Sequence, residues 1–132
     1  MITGLDHVQL AMPRGQEELA RSFYAGLLAM TELPKPAVLA ARGGCWFTSG
    51  AAVLHLGVEE PFSPARKAHP AFLAADIGEL QAALTAAGYA CVRSDEEIPG
   101  VRRFHTHDPF GNRVEFQQAT GLQQATGPVS GP

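Results

Sequence analysis

The two halves of this chain repeat one another, and that repeat limits the possible folds more tightly than composition does. His7 aligns with His69, Glu18-Leu19 with Glu79-Leu80, and His55 with Glu115, at an offset that shrinks from 62 to 60 residues. In the first half, residues 7–12 alternate at period two, with Val8, Leu10 and Met12 on one side and His7, Gln9 and Ala11 on the other. Pro13 stops this strand. From Gln16 onward, Leu19, Phe23, Leu27 and Met30 recur at three- or four-residue steps, which predicts a helix with Glu17 and Glu18 in its first turn, where the helix dipole favours them. Pro34 and Pro36 break the chain. Residues 45–48 and 52–58 then read as a hairpin turning at Ser49-Gly50.

The second half follows the same order. Residues 69–73 read as a strand, and Asp76 is placed to cap a helix with Ile77, Leu80 and Leu84 as its buried stripe. Gly88 is suited to end that helix. Residues 89–92 form a short strand, and 102–107 with 113–118 form a hairpin around Asp108-Pro109-Phe110-Gly111-Asn112. Each half is therefore expected to be a βαβββ module (residues 3–58 and 69–118), joined by a Pro- and charge-rich linker, 59–68, within one α+β domain spanning 1–118. One helix covers one face of each sheet, so the other face needs a second module or a ligand. Residues 119–132, rich in Gly, Gln, Thr and Pro, are expected to be a flexible tail.

Length and charge narrow the partners. A chain of 132 residues suits one domain, and 45% hydrophobic with 17% charged residues is globular composition. A net charge of −3 without a basic stripe argues against nucleic acid. No apolar run approaches the ~18 residues of a membrane helix. The first residues show no basic stretch followed by an apolar core, so no secretion signal is read. Cys45 and Cys91 are too few for a disulfide framework, and the expected compartment is the cytoplasm.

The repeat-equivalent positions also carry the chemistry. His7, His55, His69 and Glu115 are all able to bind metal, and each falls on the side of its strand away from the apolar stripe. Three imidazoles and one carboxylate converging on one open sheet face would suit zinc, nickel, iron or cobalt better than magnesium or calcium. A single His or Glu on a strand is more often a surface or hydrogen-bonded residue. It is the coincidence of four at equivalent positions that points to a metal.

These residues resemble the vicinal oxygen chelate superfamily, which includes glyoxalase I, extradiol dioxygenases, fosfomycin-resistance thiol transferases and bleomycin-resistance proteins. The resemblance runs over about residues 3–118, through Leu5-Asp6-His7-Val8, Ser22-Phe23-Tyr24 with Leu27-Leu28, His69, and Asp108 to Phe116. It implies a cup-shaped half-barrel built from the two modules, with helices on the outer face, commonly in a homodimer. It implies metal ligation by His7, His69 and Glu115, with His55 at the position of a fourth ligand, and a zinc, nickel, iron or manganese ion that chelates two oxygens of a small-molecule substrate. Glu115 would then serve as ligand and general base together, with His55 as the alternative base.

Departures from the subfamilies matter as much. Ala11 stands where bacterial glyoxalase I has a glutathione-gripping arginine, and Glu59 where it has an asparagine. Gln9 replaces the threonine of the fosfomycin transferases, and Gln117-Gln118-Ala119 offers no counterpart to their arginine beyond the last ligand. The expected function is a metal-dependent lyase, isomerase or transferase. The alternative is a metal-free binder that sequesters a drug or metabolite, as bleomycin-resistance proteins do. Among other residues, His105 and His107 read as a surface pair on an edge strand, with a proton shuttle as the minor reading. Trp46 and Phe47 should put one ring on each face of their strand. Arg42, Arg102, Arg103 and Arg113 read as solvated, and Gly43-Gly44 as a turn.

Overall fold

A computed structural model of the chain describes residues 1–119; the tail expected beyond them lies outside the described residues. The chain divides into two compact units, residues 1–70 with 107–113, and residues 71–106 with the segment from Val114 onward.

The first unit holds strands β1 (Val8–Met12), β2 (Thr31–Leu33), β3 (Cys45–Ser49) and β4 (Ala52–Val58) in the order β1-β4-β3-β2. β1 runs parallel to β4 with Gln9 opposite His55, and β3 runs antiparallel to β4 with Trp46 opposite His55. The β3–β4 hairpin turns where the sequence predicts it, through Gly50 at φ 56°. β2 supplies the strand that the prolines at 34 and 36 had obscured, and Ala37–Ala40 adds a one-turn helix, α2.

The first long helix departs from its predicted face. α1 spans Glu17–Ala20 and runs directly into a π-helical stretch, Arg21–Leu27, that ends with the Leu28 amide donating to the Phe23 carbonyl at 2.9 Å. Ala20, Phe23, Tyr24 and Met30 are buried, whereas Leu19, expected in the core, is 49% exposed. Tyr24 packs its ring on Phe47 and edge-on to Phe23.

The Asp108 to Asn112 turn belongs to this unit and is buried in it. Asp108 Oδ1 accepts from the amides of Phe110 and Asn112, both at 2.9 Å, and Oδ2 accepts the Tyr24 hydroxyl at 2.8 Å. Asn112 donates to the Ala11 carbonyl at 2.8 Å and accepts from the Ala65 amide at 2.9 Å. A motif that reads in sequence as a plain turn is thus a buried polar knot with its partners satisfied.

The second unit carries β5 (Ala71–Leu73), β6 (Val92–Arg93), β7 (Val101–His107) and β8 (Arg113–Ala119) in the order β5-β8-β7-β6, with β5 parallel to β8. Helix α3 (Ile77–Ala86) is capped as expected, since the Asp76 carboxylate accepts from the Glu79 amide at 3.0 Å. Its C-terminus closes with Gly88 at φ 95°, the Gly88 amide bonding the Thr85 carbonyl and the Tyr89 amide the Leu84 carbonyl. Ile77, Leu84, Phe104, Val114 and Phe116 form the core of this unit, with Phe116 packed against Phe104 and Phe72. Both modules are thus βαβββ, as the repeat requires.

Candidate metal centre

Strand alternation sends the candidate ligands to the face opposite the helices. Leu54 and Leu56 are fully buried, so His55 between them points the other way, next to Trp46 across the β3–β4 pair. The His55 ring stacks between two partners: Trp46 at 4.0 Å and 5° between planes, and His7 at 4.0 Å and 17°. His7 leads into β1, and its Nδ1 bonds the Asp6 carboxylate at 2.9 Å, which leaves the lone pair on Nε2. Burial, first, and then the nearby His7 lower the pKa of His55, as does Lys35, while Asp6 opposes them. His55 is accordingly held as the neutral imidazole that a metal requires.

His69 and Glu115 fall in a second group. β5 pairs with β8 so that Ala71 lies opposite Glu115, and His69 stands two residues ahead of Ala71 in the lead to that strand. Within the second unit, His105 and Glu115 bring an imidazole nitrogen and a carboxylate oxygen to 2.9 Å. His69 Nδ1 bonds the Lys67 carbonyl at 2.8 Å. Two imidazoles and one carboxylate fit a divalent transition metal.

Glu115 is only 3% exposed, a burial that a carboxylate tolerates only with partners. Its Oε1 lies 2.9 Å from His105 Nε2, and its Oε2 accepts from Arg103 at 3.3 Å and from the Gln117 amide. Two expectations are corrected here. β7 lies between β8 and β6, so His105 is not on an edge strand, and its side chain is 14% exposed against a carboxylate. Arg103 is not solvated either, being equally buried and linking Glu115 to Glu97. The periodicity could have found both: Arg103 and His105 share one face of β7, as Arg113, Glu115 and Gln117 do of the neighbouring β8. Trp46 and Phe47 do take opposite faces, Phe47 fully buried and Trp46 on the His55 side.

Comparison with known proteins identifies the family and the fold. The family model of the glyoxalase/bleomycin resistance protein/dioxygenase superfamily matches residues 4–116. A Bacillus anthracis protein assigned to the glyoxalase family is 47% identical, with a TM-score of 0.86 over 91% of this chain and 98% of its own. The fosfomycin resistance protein FosX of Listeria monocytogenes shares the fold at 15% identity, with a TM-score of 0.73 over 94% of this chain and 99% of its own. An integron cassette protein from the mobile metagenome of the Halifax Harbour sewage outfall shares it at 21% identity, with a TM-score of 0.72 over 89% and 99%. No curated protein matches. With its paired modules and a family match over nearly all the described residues, the chain belongs to the glyoxalase/bleomycin resistance protein/dioxygenase superfamily.

Proposed function

We propose that the chain is a metal-dependent enzyme acting on a small oxygen-chelating substrate, in a reaction of the lyase, isomerase or thiol-transfer type. The observation that supports this reading is the family match over residues 4–116, with a His7–His55 ring pair in one unit and a buried His105–Glu115 pair at 2.9 Å in the other. His7, His55, His69 and Glu115 are the ligands of zinc, nickel, iron or manganese in this reading, with His105 beside them. A homodimer is part of it: if modules are exchanged between copies, His7 and His55 of one chain meet His69 and Glu115 of the other. Free thiols at Cys45 and Cys91 accord with a cytoplasmic setting.

When bound, the ion supplies Lewis-acid stabilisation of an oxyanion on the substrate. The chain's own residues supply the proton chemistry. Glu115 takes a proton from a substrate carbon through Oε1, while Arg103 and Gln117 hold Oε2. His105 Nε2, 2.9 Å from Oε1, orients that oxygen by donating to it, and Glu115 itself returns the proton to the substrate at the neighbouring atom. His55 is the alternative base. Ala11 and Glu59 lack the groups that grip glutathione, which favours a substrate other than the methylglyoxal–glutathione hemithioacetal.

Metal analysis of untagged protein tests the reading. One divalent ion per chain is expected, and little in His69→Ala or Glu115→Gln. Protein that is metal-free and takes up no added zinc, nickel, iron or manganese overturns it in favour of a sequestering binder.

A further inference from the structure

The first unit contains a cavity of about 200 Å³ that the metal chemistry leaves unused. Gln9, Lys35, Leu39, Arg42, Gly43 and Trp46 line it, with the backbone around Gly57 as its floor. Missing side chains make the space. A Cβ at Gly57 would come within 2.4 Å of the Gln9 amide nitrogen, so the Gln9 side chain lies directly over the Gly57 backbone. Gly44 likewise lies so close to β4 that a Cβ would meet the Leu56 carbonyl at 2.1 Å.

The lining carries two cations and no acid, in a chain of net charge −3. Lys35 spends one of its three donors on the Gly43 carbonyl. Arg42 is exposed and makes no ion pair among the described residues. Glu17 lies next to Gly43, its carboxylate accepting the Gly44 amide at 3.2 Å, and it does not line the cavity. Trp46 joins the cavity to the His55–His7 stack, because the same indole lies against His55. A molecule seated here therefore meets an aromatic wall, an amide, a guanidinium fork and an ammonium. The volume falls below the ~300 Å³ at which pockets for drug-sized ligands begin, so the occupant is small or is one arm of a larger molecule.

We infer that this cavity binds a small aromatic carboxylate, its ring against Trp46 and its carboxylate on Arg42 and Lys35. As the substrate's anionic arm this rests on the functional reading above, but binding itself needs no metal. That separation makes the two distinguishable.

Trp46 is the single tryptophan of the chain, so its fluorescence reports on the cavity directly. The probe is benzoate, titrated at pH 8 against the full chain treated with a chelator, with benzamide as the uncharged analogue and inorganic phosphate as the ringless anion. A saturable change in Trp46 emission is expected with benzoate, with benzamide and phosphate each roughly tenfold weaker. Arg42→Gln and Lys35→Gln should each weaken benzoate by a similar factor, and Arg42→Lys should restore part of the loss. Circular dichroism of each variant confirms folding. Equal binding of benzamide, tighter binding of phosphate, or an unchanged affinity in folded Arg42→Gln overturns the assignment. Glu115→Gln should keep benzoate binding even where it removes metal, so failure of the metal reading leaves this result standing.

Discussion

His105 Nε2 lies 2.9 Å from Glu115 Oε1, in a unit where Arg103 already holds the other oxygen of the same carboxylate. With Arg103 and Gln117, the pair supplies the hydrogen-bond partners that the burial of Glu115 demands. It also sets up the comparison that separates a ligand from a supporting residue.

Zinc affinity should fall by at least about tenfold in His69→Ala and Glu115→Gln, because the remaining donors leave an incomplete site. His105→Ala falls equally if His105 is a donor, and by less if it only orients Glu115. Competition titration with a chromogenic chelator measures all three. Affinity should also fall as the pH is lowered, because protons compete with the ion for the imidazole nitrogens and the carboxylate.

Replacing Asp108 by alanine strips one buried carboxylate from four donors: the Tyr24 hydroxyl, the Asn112 side chain, and the amides of Phe110 and Asn112. The variant should lose roughly 3 kcal/mol or more of stability, since buried donors are left unpaired. Urea unfolding checks it. A loss below about 1 kcal/mol would mean that water replaces the carboxylate at little cost.

The buried face of the first helix predicts a contrast between two apolar residues four apart. Phe23→Ala should cost about 3–5 kcal/mol, as a buried aromatic does, whereas Leu19→Ala should cost under about 1 kcal/mol. Equal losses in urea unfolding would contradict this face.

Burial pushes the Cys45 thiol up to about 11. Its folded value lies above its unfolded one, so the stability it contributes is present below about pH 9 and is lost as pH rises toward 11. Wild-type protein should therefore lose more urea resistance between pH 8 and pH 10.5 than Cys45→Ala does. Iodoacetamide at pH 8 should modify the partly exposed Cys91 and leave the buried Cys45 intact until the chain unfolds. Labelling of Cys45 in folded protein, read by mass spectrometry, would contradict this.

Much of this was legible because it is local or periodic. The repeat announced two βαβββ modules, and the alternation on β1, β4 and β8 assigned His55 and Glu115 to the faces opposite Leu54, Leu56, Val114 and Phe116. Asp76 and Gly88 declared the ends of α3 through cap chemistry that depends on a few neighbouring residues. β2 was hidden for the opposite reason: three residues carry too little pattern, and pairing with β3 is what makes them a strand.

Tertiary structure alone decided the rest. Leu19 with Phe23, and Ala20 with Phe23 and Tyr24, both fit helical spacing, so which of the two stripes enters the core is chosen by packing, which periodicity cannot show. Whether Asp108 is a surface turn residue or a buried acceptor depends on Tyr24, 84 residues away in the chain. His105 and Arg103 acquire their roles only because β7 lies next to β8, where a buried carboxylate needs cations and donors to offset its desolvation. The sequence by itself determined which residues face which side of each strand, because side-chain alternation follows from backbone geometry. Which of them meet was left to strand order, because charges and rings act on whatever lies within a few ångströms, however far away in the chain.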